Sequence, residues 1–300
     1  MNGKAPPLVF QGKLAGQHDK YPRLFSTENK ARGFKKRMKH TPQTIYSKKQ
    51  AGQKIVSLSL YDYPSARIAD AAGVDVIMVG DSVGMVLLGH ENTLGMTIEH
   101  MLYHTAAVSK GVKRALVVAD MPIHSYNDPE LALKNAHRLI REAGADAVKL
   151  EGGAKIQAQI QKLVTDGISV MGHVGMLPQS VGDGKYRVYG KDPDEAATIL
   201  EDAKLLDRMG AFAIVLECVP EKLAAEITQA VKCPTIGIGA GLATDGQVLV
   251  FHDLLGIRSG VSPRFVRRYA NLEAVMKKAA GDYCRDVQKK KFPSKKESFT

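Results

Sequence analysis

From residue 54 onward the chain falls into a regular rhythm. Short runs rich in Val, Ile and Leu occupy 55–60, 74–79, 115–119, 147–150, 169–172, 212–216 and 235–238, and a weaker eighth falls at 248–251. Between them lie stretches whose apolar positions recur every three to four residues, the spacing of a half-buried helix. They predict helices over 64–72, 97–110, 128–144, 154–166, 193–209, 220–231 and 263–287. The punctuation agrees. Asp128-Pro129 opens a helix as a cap followed by proline, and Gly73, Gly111, Gly144, Gly167 and Gly210 stand where helices stop. Strands this continuously apolar are buried on both faces, as in a parallel sheet. Repeated strand–helix units make either a closed barrel or an open doubly wound sheet. No GxGxxG follows the first run, which weakens a dinucleotide-binding sheet. The reading is therefore an α/β fold, a single (β/α)8 TIM barrel over 43–300 that ends in a C-terminal helix and tail. A basic extension over 1–42 is expected to be flexible.

Composition narrows the class. A chain of 300 residues with 44% hydrophobic content can bury one large core. It has no apolar run long enough to span a bilayer. Cys218, Cys233 and Cys284 are odd in number and match no zinc spacing, which fits a reducing compartment.

The formal charge of +11 is unevenly placed. Residues 1–50 hold 12 Lys and Arg against Asp19 and Glu28, and residues 277–300 hold 8 against three acids. Residues 51–276 hold 22 against 26, so the body of the chain is slightly acidic. A nucleic-acid reader concentrates basic charge on its folded face, so neither nucleic acid nor membrane is expected as a partner. The N-terminal segment, with Arg23-Leu24-Phe25-Ser26, loosely suggests a mitochondrial transit peptide, and Met38 offers an alternative start. It lacks a secretory apolar region and a clear amphipathic pattern, so the expected location is the cytoplasm.

Chemistry-bearing residues recur just past the strand ends: Asp62, Asp81-Ser82, Asp120, Lys149 and Glu151, His173, and Glu217. In a parallel barrel all C-terminal strand ends open on one face, where active sites form. A lone acid there can be a simple helix cap, and Asp62 reads best that way. His173 alone could be a satisfied core histidine. Lys149 and Glu151 are two residues apart, so they share a direction on an extended strand. Glu217 closes the run Phe-Ala-Ile-Val-Leu, a costly place for an idle carboxylate. Several partly desolvated carboxylates must protonate or gather a cation. A hard ion such as Mg²⁺, which takes a few carboxylates plus water and substrate oxygens, suits them better than Zn²⁺. The Gly237–Gly241 turn could cradle an anion.

These segments, taken in order, resemble the ketopantoate hydroxymethyltransferase family over about 43–300. The matching pieces are YDYPSAR (61–67), VGDSVGMVLLGH (79–90), YHTAAV (103–108), VADMP (118–122), VKLEGG (148–153), GHVG (172–175), PQSV (178–181), VLECVP (215–220), IGIGAG (236–241) and DGQVLVFHDLLG (245–256). The resemblance implies a (β/α)8 barrel assembled as a homo-oligomer, commonly a decamer. It implies transfer of a hydroxymethyl group from the cosubstrate 5,10-methylenetetrahydrofolate to an α-keto acid, 3-methyl-2-oxobutanoate, with Mg²⁺. By motif, Asp81, Asp120 and Glu151 would hold the metal. Asp81, Ser82, Asp120, Lys149 and His173 would contact the keto acid, and Glu217 would be the catalytic acid/base. The sequence departs from the family in four places: Met176-Leu177 before Pro178, a shorter 182–190 loop, Gly95 for a usual Pro, and Ile123-His124 for a common Phe-Gly. The alternative reading is another Mg²⁺-dependent enzyme of the phosphoenolpyruvate mutase/isocitrate lyase type.

Overall fold

The structure is a computed structural model that describes residues 38–181, 187–257 and 263–299. Eight parallel strands close into a barrel in chain order: β1 (Ile55–Ser59), β2 (Val76–Val79), β3 (Leu116–Asp120), β4 (Ala147–Lys149), β5 (Val170–Gly175), β6 (Ala213–Glu217), β7 (Thr235–Ile238) and β8 (Gly246–Val250). The helices are α1 (Pro42–Gln50), α2 (Tyr63–Ala72), α3 (Val83–Val86), α4 (Ile98–Gly111), α5 (Pro129–Arg141), α6 (Gln157–Thr165), α7 (Pro193–Arg208), α8 (Glu221–Ala230), α9 (Phe251–Leu255) and α10 (Leu272–Gln288). The (β/α)8 reading of the sequence is borne out.

Two apolar layers follow from the two-residue alternation of a strand. Inside the barrel pack Ile55, Val76, Met78, Leu116, Val118, Ala147, Met171, Ala213, Val215, Ile236 and Val248. The intervening residues, such as Ile77, Val117, Val148, Ile214 and Leu216, join Ile160, Leu163, Ala203 and Leu206 of the helices in the outer layer. The inward row is apolar at the N-terminal end of the strands and turns polar at the other. In β3 it runs Leu116, Val118, Asp120; in β4 Ala147, Lys149; in β5 Met171, His173; in β6 Ala213, Val215, Glu217. The strand pairing sets Asp120 opposite Lys149 and Gly175 opposite Glu217.

Helix α1, which the hydropathy rhythm does not announce, seals the apolar end. Its Ile45 is fully buried among the inward-facing residues. Lys48 reaches Asp75 at 2.7 Å, and Lys49 reaches Asp245 at 3.0 Å and three carbonyl oxygens between 2.9 and 3.0 Å. Thr41 caps the helix and Pro42 opens it. Seven of nine residues in this helix are neither Ile nor Tyr, and a single buried side chain leaves no periodicity to detect.

Two sequence boundaries are corrected and one element is added. The eighth strand begins at Gly246 and ends at Val250, and Phe251 opens α9 instead. The last helix begins at Leu272, not near 263, because Asn271 accepts a capping bond from Ala274 N–H. The short α3 after β2 had no signal of its own. The N-terminal segment with its transit-peptide features, and residues 182–186 of the shortened loop, lie outside the described residues. Among the described residues no helix is long and apolar enough to cross a membrane.

Candidate active site

At the polar end of the barrel a cavity of about 280 Å³ is lined by Asp81, Ser82, Asp120, Lys149, Glu151, His173 and Glu217. Those seven are the residues the sequence assigned to metal, keto acid and proton transfer, and the fold brings all of them together. Asp62 is elsewhere: its carboxylate accepts from Ser65 N–H and Ser65 Oγ–H, both at 2.8 Å, and caps α2.

Lys149 Nζ lies 3.0 Å from Asp120 Oδ2, 3.9 Å from Glu151 Oε1 and 3.4 Å from His173 Nδ1. His173 stands between two glutamates, with Nδ1 3.5 Å from Glu151 Oε1 and Nε2 3.2 Å from Glu217 Oε2. Asp81 N–H donates to Asp120 Oδ2 at 3.2 Å. Gln179 ties the loop after β5 into the same group, its backbone N–H donating to Glu151 Oε2 at 3.0 Å and its side-chain amide to Asp81 Oδ2 at 2.8 Å. Tyr61 Oη and Ser82 Oγ are 2.8 Å apart, which anchors Ser82.

Two carboxylates share one pattern. Asp120 has Oδ2 engaged and Oδ1 buried with no hydrogen-bond partner, and Glu151 has Oε2 engaged and Oε1 buried with none. Leaving buried acceptors unmade costs about 1–3 kcal/mol each, so a ligand that satisfies them binds with that energy in hand. Among the described residues no three His, Cys, Asp or Glu side chains close into a ready-made metal cage. The acids surround an opening instead.

The electrostatics reflect this crowding. Burial, with the charges of Asp120 and Glu151, pushes the Asp81 carboxyl up to about 8. Burial also lifts Asp120 despite Lys149. Burial opposes the charge on Glu151, but His173, Lys149 and the Gln179 N–H together hold its carboxyl below the usual range. Burial disfavours the Lys149 cation, yet Asp120, Glu151 and Asp81 more than reverse that and hold it above its ordinary value. For His173, burial and Lys149 favour the neutral ring, and the neighbouring carboxylates of Glu151 and Glu217 overcome both, raising it to about 9.

Ser59, Met85, Val86, Thr93, Val250, Asp253 and Phe265 also line the cavity. None of these was singled out from sequence, because isolated Ser, Thr or Met residues carry no spacing that marks a pocket. Gln179 sits within the quoted PQSV segment, yet a polar loop residue gives no hint of what it will touch. At the end of the Gly237–Gly241 turn the Glu221 side chain packs against Gly241, and its Oε1 accepts the Leu242 N–H at 3.2 Å.

Residues 39–295 match a family model described as ketopantoate hydroxymethyltransferase. The 3-methyl-2-oxobutanoate hydroxymethyltransferase of Carboxydothermus hydrogenoformans is 53% identical over 262 residues, covering 87% of this chain and 95% of that one. Its counterpart in Clostridium novyi is 51% identical over 87% of this chain and 96% of its own length. Among solved structures, a phosphonopyruvate hydrolase complex with oxalate and Mg²⁺ has a TM-score of 0.56 at 14% identity, covering 86% of this chain and 93% of that one. A 2,3-dimethylmalate lyase of the PEP mutase/isocitrate lyase superfamily has a TM-score of 0.54 at 16% identity over 86% and 91%. Those two share the barrel architecture. With the barrel, the ordered motifs and this sequence identity in agreement, the chain belongs to the ketopantoate hydroxymethyltransferase family.

Proposed function

We propose that the protein transfers a hydroxymethyl group from 5,10-methylenetetrahydrofolate to 3-methyl-2-oxobutanoate, giving 2-dehydropantoate, with Mg²⁺ as the resident metal. The observation that carries this is the meeting of all seven motif residues in one cavity of a chain belonging to that family. The second reading, a lyase or mutase of the isocitrate lyase type, rests on shared architecture alone.

The donor set fits a hard divalent cation. Asp120 Oδ1 and Glu151 Oε1 are buried oxygens without a hydrogen-bond partner, and the Asp81 carboxyl beside them is pushed up to about 8 by burial and by the charges of Asp120 and Glu151. Mg²⁺ favours sites with one or two carboxylates that keep room for water and substrate oxygens, so an unclosed set is what it uses. Asp81, Asp120 and Glu151 would hold it, and when bound it supplies Lewis acidity to the keto oxygen.

The side chains of this chain do the rest. Ser82, fixed by Tyr61, offers a hydroxyl to the keto acid's carboxylate. Lys149 places a fixed positive charge where negative charge develops as C3 loses its proton, a contribution that costs no reorganisation during reaction. Glu217 takes that proton. His173 Nε2 lies 3.2 Å from Glu217 Oε2, and the ring's positive charge draws that carboxylate towards the cavity floor of Lys149 and Glu151. Water opens the two C–N bonds of the folate methylene, which frees tetrahydrofolate and leaves a formaldehyde carbon carrying the water's oxygen; C3 adds to that carbon, and the alkoxide formed takes back the proton held by Glu217. The apolar lining residues Met85, Val86 and Phe265 receive the reacting end of the folate.

The proposal extends to a cytoplasmic homo-oligomer, a decamer. What favours self-association is α10, which buries no residue and exposes Val275, Met276 and Tyr283. Light scattering of the purified chain gives the count.

The test is product formation from 3-methyl-2-oxobutanoate and methylenetetrahydrofolate with Mg²⁺, with and without EDTA. Exchange of deuterium into C3 without folate isolates the proton step. Exchange should disappear in Glu217→Gln; exchange at the parent rate in that variant removes Glu217 as the base.

A further inference from the structure

Gln179 has no part in the chemistry just described, yet it is 6% exposed and makes four hydrogen bonds at the centre of the site. Its backbone N–H donates to Glu151 Oε2 at 3.0 Å. Its amide NH₂ donates to Asp81 Oδ2 at 2.8 Å and to the Met121 carbonyl at 2.9 Å. Its Oε1 accepts the Tyr126 hydroxyl at 2.5 Å. A primary amide has two N–H donors and one carbonyl, so both donors are spent and the carbonyl is engaged. The amide has one workable orientation. Turned over, its carbonyl would face the Met121 carbonyl and the Asp81 carboxyl.

Tyr126 is itself braced. Gln159 Nε2–H on α6 donates to the Tyr126 carbonyl at 3.1 Å and the Asn127 carbonyl at 3.3 Å. Asn135 on α5 donates to the Ser125 carbonyl at 2.8 Å. A rigid path thus runs from two outer helices through Tyr126 to the Gln179 amide. From there it reaches acids on two separate strand ends.

We propose that Gln179, braced by Tyr126, is a positioning residue that fixes the Asp81 and Glu151 carboxylates and thereby sets the affinity of the site for a divalent cation. Gln179 holds Glu151 Oε2, which leaves Glu151 Oε1 without a hydrogen bond, 3.5 Å from His173 Nδ1 and 3.9 Å from Lys149 Nζ. It holds Asp81 Oδ2 in the same manner. Each carboxylate is tied at one oxygen by the same residue, which limits its rotation. Residues that orient ligands from behind typically change metal affinity by about 10–100-fold when lost.

This inference rests on the metal reading above, and the experiment separates the two. Mn²⁺ serves as the probe, because the electron paramagnetic resonance signal of the free ion reports binding without turnover. The full-length parent, Gln179→Leu and Tyr126→Phe are titrated, and each is melted in EDTA. Gln179→Leu keeps the bulk and removes the amide, and Mn²⁺ should bind it about 10–100-fold more weakly. Tyr126→Phe removes one hydrogen bond at a distance from the acids, and Mn²⁺ should bind about 2–10-fold more weakly. At saturating Mg²⁺ the kcat of Tyr126→Phe should return to within about threefold of the parent, with KM for the keto acid raised. A purely structural role would lower the melting temperature and leave the Mn²⁺ affinity unchanged. If the parent binds Mn²⁺ and both variants bind within twofold of it, the positioning role is overturned. Should Gln179→Leu fail to fold, an unchanged affinity in Tyr126→Phe overturns it alone. A parent that binds no Mn²⁺ overturns the metal reading itself.

Discussion

Replacing Lys149 by Met removes a buried cation while keeping the length of the side chain. The ammonium lies 3.0 Å from Asp120 and 3.9 Å from Glu151, and its side chain is 5% exposed. With an effective dielectric of about 20, those two contacts are worth roughly 5 and 4 kcal/mol before other terms. Desolvation of the ammonium and its proximity to His173 subtract most of that gain. What remains is the cost of stranding two buried acids, about 3–5 kcal/mol when one partner of a buried pair is removed. For a domain of this size each kcal/mol moves Tm by about 2–4 °C, so the variant should melt about 6–20 °C below the parent in EDTA. Added Mg²⁺ supplies the missing countercharge. The Mg²⁺-induced rise in Tm should therefore be larger in Lys149→Met than in the parent. Turnover should not recover with it: kcat/KM at saturating Mg²⁺ should stay about 10²–10³-fold down, because the fixed charge beside the keto acid is gone. Scanning calorimetry with and without metal reads the first two effects and the product assay the third. A parent-like Tm in EDTA, or a smaller metal effect than in the parent, would show that Lys149 does not neutralise these acids.

Three further outcomes follow from local geometry. Gly175 has φ +93° and a methyl group there would lie 2.3 Å from the Glu217 carbonyl oxygen, whereas Gly52, at φ +63°, has nothing within 4 Å. Both Ala variants bear the left-handed backbone penalty of about 1–2 kcal/mol, but only Gly175→Ala adds overpacking of about 1–3 kcal/mol and shifts Glu217; equal melting temperatures for the two would refute the contact. His124 is exposed and holds φ +66°, so His124→Gly relieves the backbone at some entropic cost and should gain about 0.5–1 kcal/mol, read from urea midpoints; a loss would refute the strain. Burial pushes the Cys218 thiol up to about 12 and Cys233 higher still, while Cys284 is exposed. Because the thiolate is the reactive form, the native protein below pH 9 should show one fast thiol towards an aromatic disulfide and three after unfolding; three fast thiols would show those two sites open.

The barrel was legible because its strands are buried on both faces and its helices end at glycines, two signals that need no tertiary information. The site was legible for the same reason. Asp120, Lys149, His173 and Glu217 each interrupt or end an apolar run, and the parallel topology then gathers strand ends at one mouth. What escaped was everything held by contact alone. Ile45 closes the barrel as a single apolar residue in a basic helix. Gln179 acquires its partners only when the loop after β5 folds over Asp81 and Glu151. Glu221 reaches the end of the glycine turn from a helix about twenty positions away, a contact that the spacing of the glycines does not announce. The Phe251 boundary slipped because an apolar residue suits the end of a strand and the start of a helix equally well.

The lumen of this barrel is written in every second residue, and that has a consequence for how the chain can change. One extra residue inserted into β4 ahead of Lys149 would rotate the strand end by half a period. Val148 and Leu150, now in the outer layer, would face the cavity, and Lys149 and Glu151 would be thrust among the helices. Such an insertion would erase a cation and a carboxylate in a single event, with no half-active intermediate. Length variation is tolerable only outside the staves, in segments such as the connection between α3 and α4, where the count of residues does not set which side they face.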